Sequence, residues 1–317
     1  MGTALLFDRD RVDEVDWTDS VPKVGRSALL WIDLEKPTDE DVENLVDAFD
    51  LERGTADELR RELTDPRLLD HGEYLHVTVI GLSDERDAAR VDCLVSERWL
   101  VTVHDGPVEV VDRFRDLAEG SGSVGMLDGL SFLANLLEWA LGSYLDAFEA
   151  IEQDLEDVDA EAMSGTVSST DGVLSRLVDM RREVGRLRRA LVSHREVVLA
   201  LTRPELEAIA SSDSAERFAS LRDRLEEAVQ ASRDTRESIV GSFDVLLAST
   251  GQRTNEIMKV LTLASVLLLP GALIAGMMGM NFKVGIFETA AYFWVVIAVI
   301  AVIAVATLAV ARMREWI

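Results

Sequence analysis

Cysteine is almost missing from this chain. Cys93 is the single one in 317 residues, which excludes an intrachain disulfide framework and a thiolate metal cluster, and leaves a buried thiol as the expectation. Histidine is scarce too: His71, His76, His104 and His194 are the four, and a lone histidine in a strand is more often a satisfied structural residue than a ligand. Positive charge is short. Lys and Arg total 32 against 58 Asp and Glu, a formal net charge of -26. So acidic a surface repels nucleic acid and attracts cations, so no nucleic-acid partner is expected. Solubility, or a salty cytosol, accounts for the acid better than a specific cation store does. Lysine is scarce beside arginine, which decides nothing about function. No apolar core stands at the N-terminus, where Asp8, Arg9, Asp10 and Arg11 interrupt the stretch from Met1 to Trp17. Without a signal peptide or a myristoylation site, the soluble part is expected in the cytosol. The chain also lacks a phosphate-binding glycine loop, a nucleophile motif and paired histidine ligands, so an enzyme is the least supported class and no covalently bound cofactor is expected.

What is present lies mostly at the C-terminal end. Val260 to Met280 is apolar for 21 residues, and at helical rise it spans about the 30 Å of a hydrocarbon core. Pro270 and three glycines suit a membrane bundle, where neighbouring helices satisfy a freed carbonyl and small residues permit close approach. Ala290 to Ala311 forms a second span, with Tyr292 and Trp294 near one end and Trp316 beyond the other as interfacial anchors. From Ile257 onward the charged residues are Lys259, Lys283, Glu288, Arg312, Arg314 and Glu315, a small positive balance, so the acid lies almost wholly before the spans. Arg253 and Lys259 precede the first span, and Arg312 and Arg314 follow the second. The positive-inside rule then predicts both termini in the cytosol, the connecting segment Asn281 to Thr289 outside, and a multi-pass protein of the cytoplasmic membrane.

Ahead of the spans the pattern predicts an α/β domain over residues 1–120, a helical region with a long stalk helix over 121–256, and a transmembrane domain over 257–317. Ser27 to Leu34 reads as a buried strand. Thr38 then caps a helix with Asp39, Glu40 and Asp41 in its first turn, and Leu45, Val46 and Phe49 facing inward. Tyr74 to Leu82, Ala89 to Ser96 and Trp99 to His104 are β-branched, partly alternating runs. After the Gly/Ser-rich stretch Glu119 to Gly125 the periodicity turns helical, with Leu130, Phe132, Leu133, Leu136, Leu137 and Tyr144 near helical spacing. That helix becomes acidic at Asp154, Glu156, Asp157, Asp159 and Glu161. Beyond a polar break at Ser164 to Gly172, an arginine-rich helix carries Arg181, Arg182, Arg186, Arg188 and Arg189, and the two are expected to form an antiparallel hairpin held partly by charge. Solvated helix faces are the plainer reading of both charge runs. After Pro204 and the stretch Ser211 to Ala215, nothing but Pro270 interrupts a helix before Met280, which predicts a rod of roughly 100 Å.

With those residues in place the chain resembles the CorA family of magnesium and related divalent-cation channels over nearly its whole length. The resemblance is carried by Asn255-Glu256-Ile257-Met258-Lys259-Val260-Leu261-Thr262, by Pro270, and by Gly279-Met280-Asn281-Phe282 at the outer end of the penultimate span. Trp31-Ile32-Asp33-Leu34, Leu100-Val101-Thr102-Val103-His104 and the helix around Arg186-Leu187-Arg188-Arg189 are similar to that family as well. It implies a funnel-shaped homopentamer in the lipid bilayer, the first span lining the pore and the second forming an outer ring, with Mg²⁺ or another divalent cation as the transported ion. By motif, Gly279, Met280 and Asn281 would form the selectivity filter, with Asn281 as the metal-facing residue, and Asn255, Met258, Leu261 and Leu269 would face the pore. Independently of the motif, Asn255, Thr262, Ser265 and Leu269 fall on or near one helical stripe, as a mildly polar lining requires. Met258, Leu261 and Leu269 offer no oxygen and suit a constriction that gates by dewetting, though packing between helices would use the two leucines equally well.

Three positions depart from the family pattern. Met278 stands where an aromatic is usual, and Ala272 where a pore threonine is usual. Aligned without gaps from Asn255, Ser220 falls where magnesium-gated members carry an aspartate, with Asp223, Glu226 and Glu227 nearby in another helical phase. This points away from magnesium sensing and strengthens a zinc-transporting relative, the ZntB type, as the alternative. No histidine in the spans offers zinc an inner-sphere site. A membrane-anchored sensor without transport is a further alternative, but anchoring requires neither the Gly279-Met280-Asn281 triplet nor a polar stripe.

Overall fold

The computed structural model describes residues 2–8, 11–17, 24–25, 28–61, 65–83, 85–120, 128–164, 170–202, 215–280 and 290–313. Along the chain these form β1 (Gly2–Asp8), β2 (Arg11–Glu14), β3 (Ala28–Glu35), α1 (Asp39–Ala48), α2 (Arg53–Leu59), β4 (Arg67–Asp70), β5 (Leu75–Leu82), β6 (Ala88–Val95), β7 (Trp99–His104), α3 (Glu109–Gly120), α4 (Gly129–Ser164), α5 (Thr170–Ser193), α6 (Arg195–Leu201), α7 (Ala215–Met278) and α8 (Ala290–Met313). They divide into two compact units. The first comprises Met1–Val158 with Leu174–Ser242, the second Asp159–Val173 with Phe243–Ile317.

In the first unit the strands make one sheet in the order β2-β1-β3-β7-β6-β5-β4. All neighbours are antiparallel except β3 and β7, which run parallel with Trp31 opposite Leu100 and Asp33 opposite Thr102. A parallel pair needs a crossover. Here α1, α2 and the β4–β6 meander supply it. The apolar runs that predict β3, β5, β6 and β7 do form strands, and burial of β5 is complete along its length. Thr38 caps α1 through a reciprocal capping box with Asp41, as its sequence predicts. The predicted apolar face of α4 is buried at Leu130, Phe132, Leu133, Leu136, Leu137 and Tyr144. Gly129 opens that helix so close to the β6–β7 hairpin that a β-carbon there would strike the Ser96 carbonyl oxygen, so only glycine fits. Phe114 of α3 packs against Phe132 at 4.3 Å with the rings tilted by 54°, and meets Trp31 edge-on at 5.8 Å, contacts worth about 0.5–1.5 kcal/mol each beyond their buried area.

Two histidines inside the sheet pair with buried carboxylates, although the Nδ1 of His76 is buried without a hydrogen-bond partner among the described residues. His76 and Thr78 both bond to Asp92, at 2.8 and 2.7 Å, beside Arg90. Asp33 is more heavily committed. It accepts from Thr102 and from Arg115, and faces His104 Nε2 at 3.1 Å, while Trp31 Nε1 donates to Thr102 Oγ1 at 3.0 Å. Burial pushes the Asp33 carboxyl up, but the hydrogen bonds and charges of His104, Thr102 and Arg115 outweigh it and hold it below the usual carboxylate range.

The oppositely charged helices α4 and α5 are joined through a third residue: Arg86, in the β5–β6 turn, lies 3.9 Å from Asp154 of α4 and 3.3 Å from Glu183 of α5. A second tie is buried. His194 Nε2 accepts the Ile80 N–H at 3.0 Å, its Nδ1–H donates to the Ala190 carbonyl at 2.8 Å, and the Tyr144 hydroxyl donates to the Ile80 carbonyl at 3.0 Å. Ile80 of β5 is thus fastened through its carbonyl to α4 and through its N–H to the α5–α6 junction. Desolvation pulls the His194 pKa down to about 4, against the opposing pull of the Ala190 and Leu191 carbonyls. A second proton would sit on Nε2 and face the Ile80 N–H. With the folded pKa below the ordinary value of about 6.5, the unfolded chain binds the proton first, so the His194 contribution is whole above about pH 6.5 and falls on acidification towards pH 4. Between pH 6.5 and 5 the loss should be about 1.5 kcal/mol, or about 3–6 °C in thermal midpoint. His194→Gln, which keeps an acceptor and cannot titrate, should flatten that acid limb. An unchanged acid limb in the glutamine variant would show that His194 does not cause it.

In the second unit α7 continues without a break through Pro270 to Met278, 64 residues from its start and close to the length predicted. Its C-terminal part and α8 are each long and apolar enough to cross a bilayer. Pro270 cannot donate to the helix ladder. It stands among the half-buried residues of α7, where a neighbouring helix shelters the local defect.

Candidate functional site

Which way α7 faces is set by its packing on α8. The half-buried positions of the first span are Leu263, Leu267, Pro270, Gly271, Ile274 and Met278, at intervals of three and four. On α8 the corresponding set is Val296, Ile300, Ile303, Ala304 and Thr307, with Ala311 buried. A β-carbon added at Gly271 would rest 3.5 Å from Ile300 Cγ2, and Leu263 shares a groove with Ile303 and Thr307. As the number rises along α7 the partner's number falls, so the two helices run antiparallel. Small residues at the contact are what allow close approach where lipid removes the hydrophobic drive between helices.

The opposite face of α7 has no partner within the unit. Met258, Leu261, Ser265, Leu269, Ala272 and Gly279 all lie on it, and all are exposed. For the large residues the exposure is decisive: 53% at Met258, 58% at Leu261 and 66% at Leu269, far too open for residues packed on α8. At about 100° per residue these six fall within one stripe, diametrically opposite the α8 contact. Asn255 and Met280 are exposed too, but Asn255 stands about a quarter-turn from the centre of the stripe. Thr262 lies in the groove beside α8.

At the end of the stripe, the Gly279 N–H donates to the Ala275 carbonyl at 3.0 Å and the Met280 N–H to Met277 at 3.3 Å. Gly279 has no positive φ, so it extends the last turn and is not a left-handed cap. Asn281, the third member of the triplet, lies outside the described residues. The stripe also reaches further back than the family motif: Leu247, Gly251 and Thr254 continue it, and Leu247 is 69% exposed. Recurrence at three and four residues from 247 through 261 would have revealed this extension in the sequence.

Chemically, the stripe alternates bulky apolar side chains with small ones, and its only side-chain oxygen between Met258 and Gly279 is that of Ser265. Such a surface cannot strip water from a divalent cation, which needs oxygen ligands. It can line a passage for a hydrated ion, or close one by excluding water.

Ser220 is exposed on α7 in the first unit, and its hydroxyl donates to the Arg217 carbonyl at 2.7 Å. Glu226 pairs with Arg195 at 2.6 Å and Glu227 with Arg224 at 2.9 Å, while Asp223 is exposed. Cys93 is buried, and burial, with the charges of Asp92 and Asp33, pushes its thiol up and keeps it protonated.

A family model described as CorA-like Mg2+ transporter protein matches residues 26–313. The cobalt/magnesium transport protein CorA of Methanocaldococcus jannaschii is 23% identical, over 97% of this chain and 95% of its own length. Its complete structure, described as a CorA magnesium transporter, superimposes with a TM-score of 0.80 at 21% identity and covers 100% of this chain and 99% of that one. The cytoplasmic domain of ZntB from Vibrio parahaemolyticus gives a TM-score of 0.57 at 13% identity, over 79% of this chain and 98% of that one, a likeness of fold alone.

Proposed function

The chain belongs to the CorA-like Mg2+ transporter family, and from that premise we propose that five copies assemble into a channel carrying Mg²⁺ across the cytoplasmic membrane. Co²⁺ and Ni²⁺ are further cargo. A member of this family is a transporter and not an enzyme, and its divalent cation is substrate. The observation that carries the reading is the unpartnered stripe of α7, since a face so apolar and so exposed in one copy is suited to meet its own kind around an axis. Both termini and the soluble unit lie in the cytosol, and residues 281–289 face outside.

Conduction follows from the residues in sequence along α7. Mg²⁺ releases its water reluctantly. A ring of five Asn281 amides, with the carbonyls of Gly279 and Met280 behind it, holds the hydrated ion through its water and lets it leave, where carboxylates would trap it. Ser265 supplies the one hydroxyl ring of the passage. Met258, Leu261 and Leu269 form apolar rings that dewet when the helices close, and Ala272, lacking the family's hydroxyl, lengthens the dry section. The membrane potential drives entry with about 4.6 kcal/mol per 100 mV for a divalent ion.

Cross-linking tests the arrangement. Because Cys93 is buried and protonated, single cysteines report without its removal. Under mild oxidation in membranes, Leu261→Cys and Leu269→Cys should link copy to copy, while Leu267→Cys, facing α8, should not. The reverse pattern would take the stripe away from the axis.

A second reading, zinc transport, is favoured by one observation: Ser220 offers no carboxylate where a Mg²⁺-sensing site would need one. The expected consequence holds for either ion. Millimolar Mg²⁺ should protect the soluble unit from proteolysis only slightly, and Ser220→Asp should increase the protection. Strong protection of the unaltered protein, abolished by Asp223→Asn, would place a sensing site in another helical phase.

A further inference from the structure

Two charged flanks of the first unit find no partner among the described residues of their own copy. α4 carries acids and not one lysine or arginine, and its Glu149 and Glu156 are exposed without an ion pair. α5 carries the arginine run. Arg181 is exposed and Arg188 half-buried, neither has an ion pair among the described residues, and the buried Nε of Arg188 donates to nothing there. Both flanks point away from the place where the two helices are tied together. At 100° per residue Glu149 and Glu156 stand about 140° and 160° around α4 from Asp154, the acid that approaches Arg86. Arg188 and Arg181 stand about 140° and 160° around α5 from Glu183, which meets the same arginine.

The heights of the two flanks match. Arg86 sets Asp154 level with Glu183, and the edge-on contact of Tyr144 with His194 at 6.1 Å sets residue 144 level with 194. α4 and α5 therefore run antiparallel. Counting from either marker brings Glu149 level with Arg188 and Glu156 level with Arg181, to within one residue. Along each helix the two charges lie seven residues apart, about 10.5 Å. Glu149, Glu152 and Glu156 also follow at intervals of three and four, where like charges repel and an opposite charge brings relief.

We infer that these flanks are the two halves of one head-to-tail interface, in which Glu149 and Glu156 of one copy pair with Arg188 and Arg181 of the next. The inference rests on the reading that copies close into a ring around α7. In such a ring neighbours are related by rotation alone, so residues meet at the height they hold within a copy. α4 runs beside α7, where Arg217 donates to Asn135 at 3.0 Å and the Thr235 hydroxyl to Glu152 at 2.9 Å, so height along α4 is height along the ring axis. A second copy covers both flanks in one operation. Foreign partners would have to be two, one basic and one acidic.

Paired cysteines in the full chain, joined in membranes by a short bismaleimide, test the interface. Glu149→Cys with Arg188→Cys should give a ladder of linked copies, and so should Glu156→Cys with Arg181→Cys. Glu149→Cys with Arg181→Cys, about 10 Å out of register, should link about tenfold less. Glu149→Cys alone should give no dimers, because a head-to-tail contact away from the axis never brings a residue against itself. In purified protein, Arg181→Glu with Arg188→Glu should raise the concentration at which the assembly dissociates by about tenfold, and adding Glu149→Arg and Glu156→Arg should restore it. Leu261→Cys reports the ring itself and so separates the two readings. Copies linked through Leu261→Cys without a ladder from the matched pairs would overturn the interface and leave the ring, and no links through either would overturn both. Dimers from Glu149→Cys alone, or a charge reversal that the compensating changes do not rescue, would overturn the pairing.

Discussion

Replacing Asn281 with glycine is expected to leave an assembled, membrane-embedded protein whose Mg²⁺ uptake falls more than about tenfold. Two roles for this residue predict opposite outcomes. As a mere end to the first span, Asn281 is dispensable, because glycine serves at least as well in a helix-ending position. Gly279 does not itself adopt the left-handed backbone, so a stop after it remains a reasonable task for the next residues. As a filter, Asn281 contributes one amide oxygen per copy, and glycine deletes the ring without disturbing the helix. Asn281→Asp separates the roles further, since up to five carboxylates should tighten cation binding, slow release and admit other divalents. Uptake at the unaltered rate by the glycine variant, at equal membrane abundance, would reduce Gly279-Met280-Asn281 to a helix-ending motif.

The second large effect is expected at the dry part of the passage. Leu261→Ser and Leu269→Ser each introduce five hydroxyls where the stripe now presents side chains 58% and 66% exposed. A hydrated constriction cannot close by dewetting, so resting Mg²⁺ leak into vesicles should rise about tenfold. Leu267→Ser is the control. Leu267 is half-buried on the face towards α8, and its change should weaken the packing of the spans without opening a path. Equal leak from all three variants would mean that loosened helices, and not a wetted gate, let the ion through.

Much of this architecture was legible in the sequence because its strongest signals are local. The spans are uninterrupted apolar runs, α1 announces itself through Thr38 and Asp41, and β3, β5, β6 and β7 are β-branched runs long enough to stand out. β1 and β2 were not legible, since charged residues, Asp8 to Arg11, fall at their junction. β4 is only Arg67–Asp70, four residues at the sheet edge. Contacts distant in sequence were beyond reach for a different reason. Nothing near Asp33 indicates that Arg115 and His104 will neutralise it, and nothing near His194 indicates Ile80 as its donor. At the candidate site, the family motif and the periodicity together identified Met258, Leu261, Ser265 and Leu269 on one face. They also grouped Asn255 and Thr262 with them, which the packing of α8 separates: its direction depends on both helices, and α7 alone does not contain it.

Transport is tested most directly by ion flux in vesicles containing the purified chain as sole protein, with an inside-negative potential and Mg²⁺, Co²⁺, Ni²⁺ or Zn²⁺ supplied outside in turn. Potential-driven Mg²⁺ entry is expected, with Co²⁺ and Ni²⁺ following and Zn²⁺ slower than Mg²⁺, and loss of all this flux in the Asn281→Gly variant. Zn²⁺ entry without Mg²⁺ entry, or no entry of any divalent cation into vesicles shown to hold the assembled protein, would contradict Mg²⁺ transport by this chain.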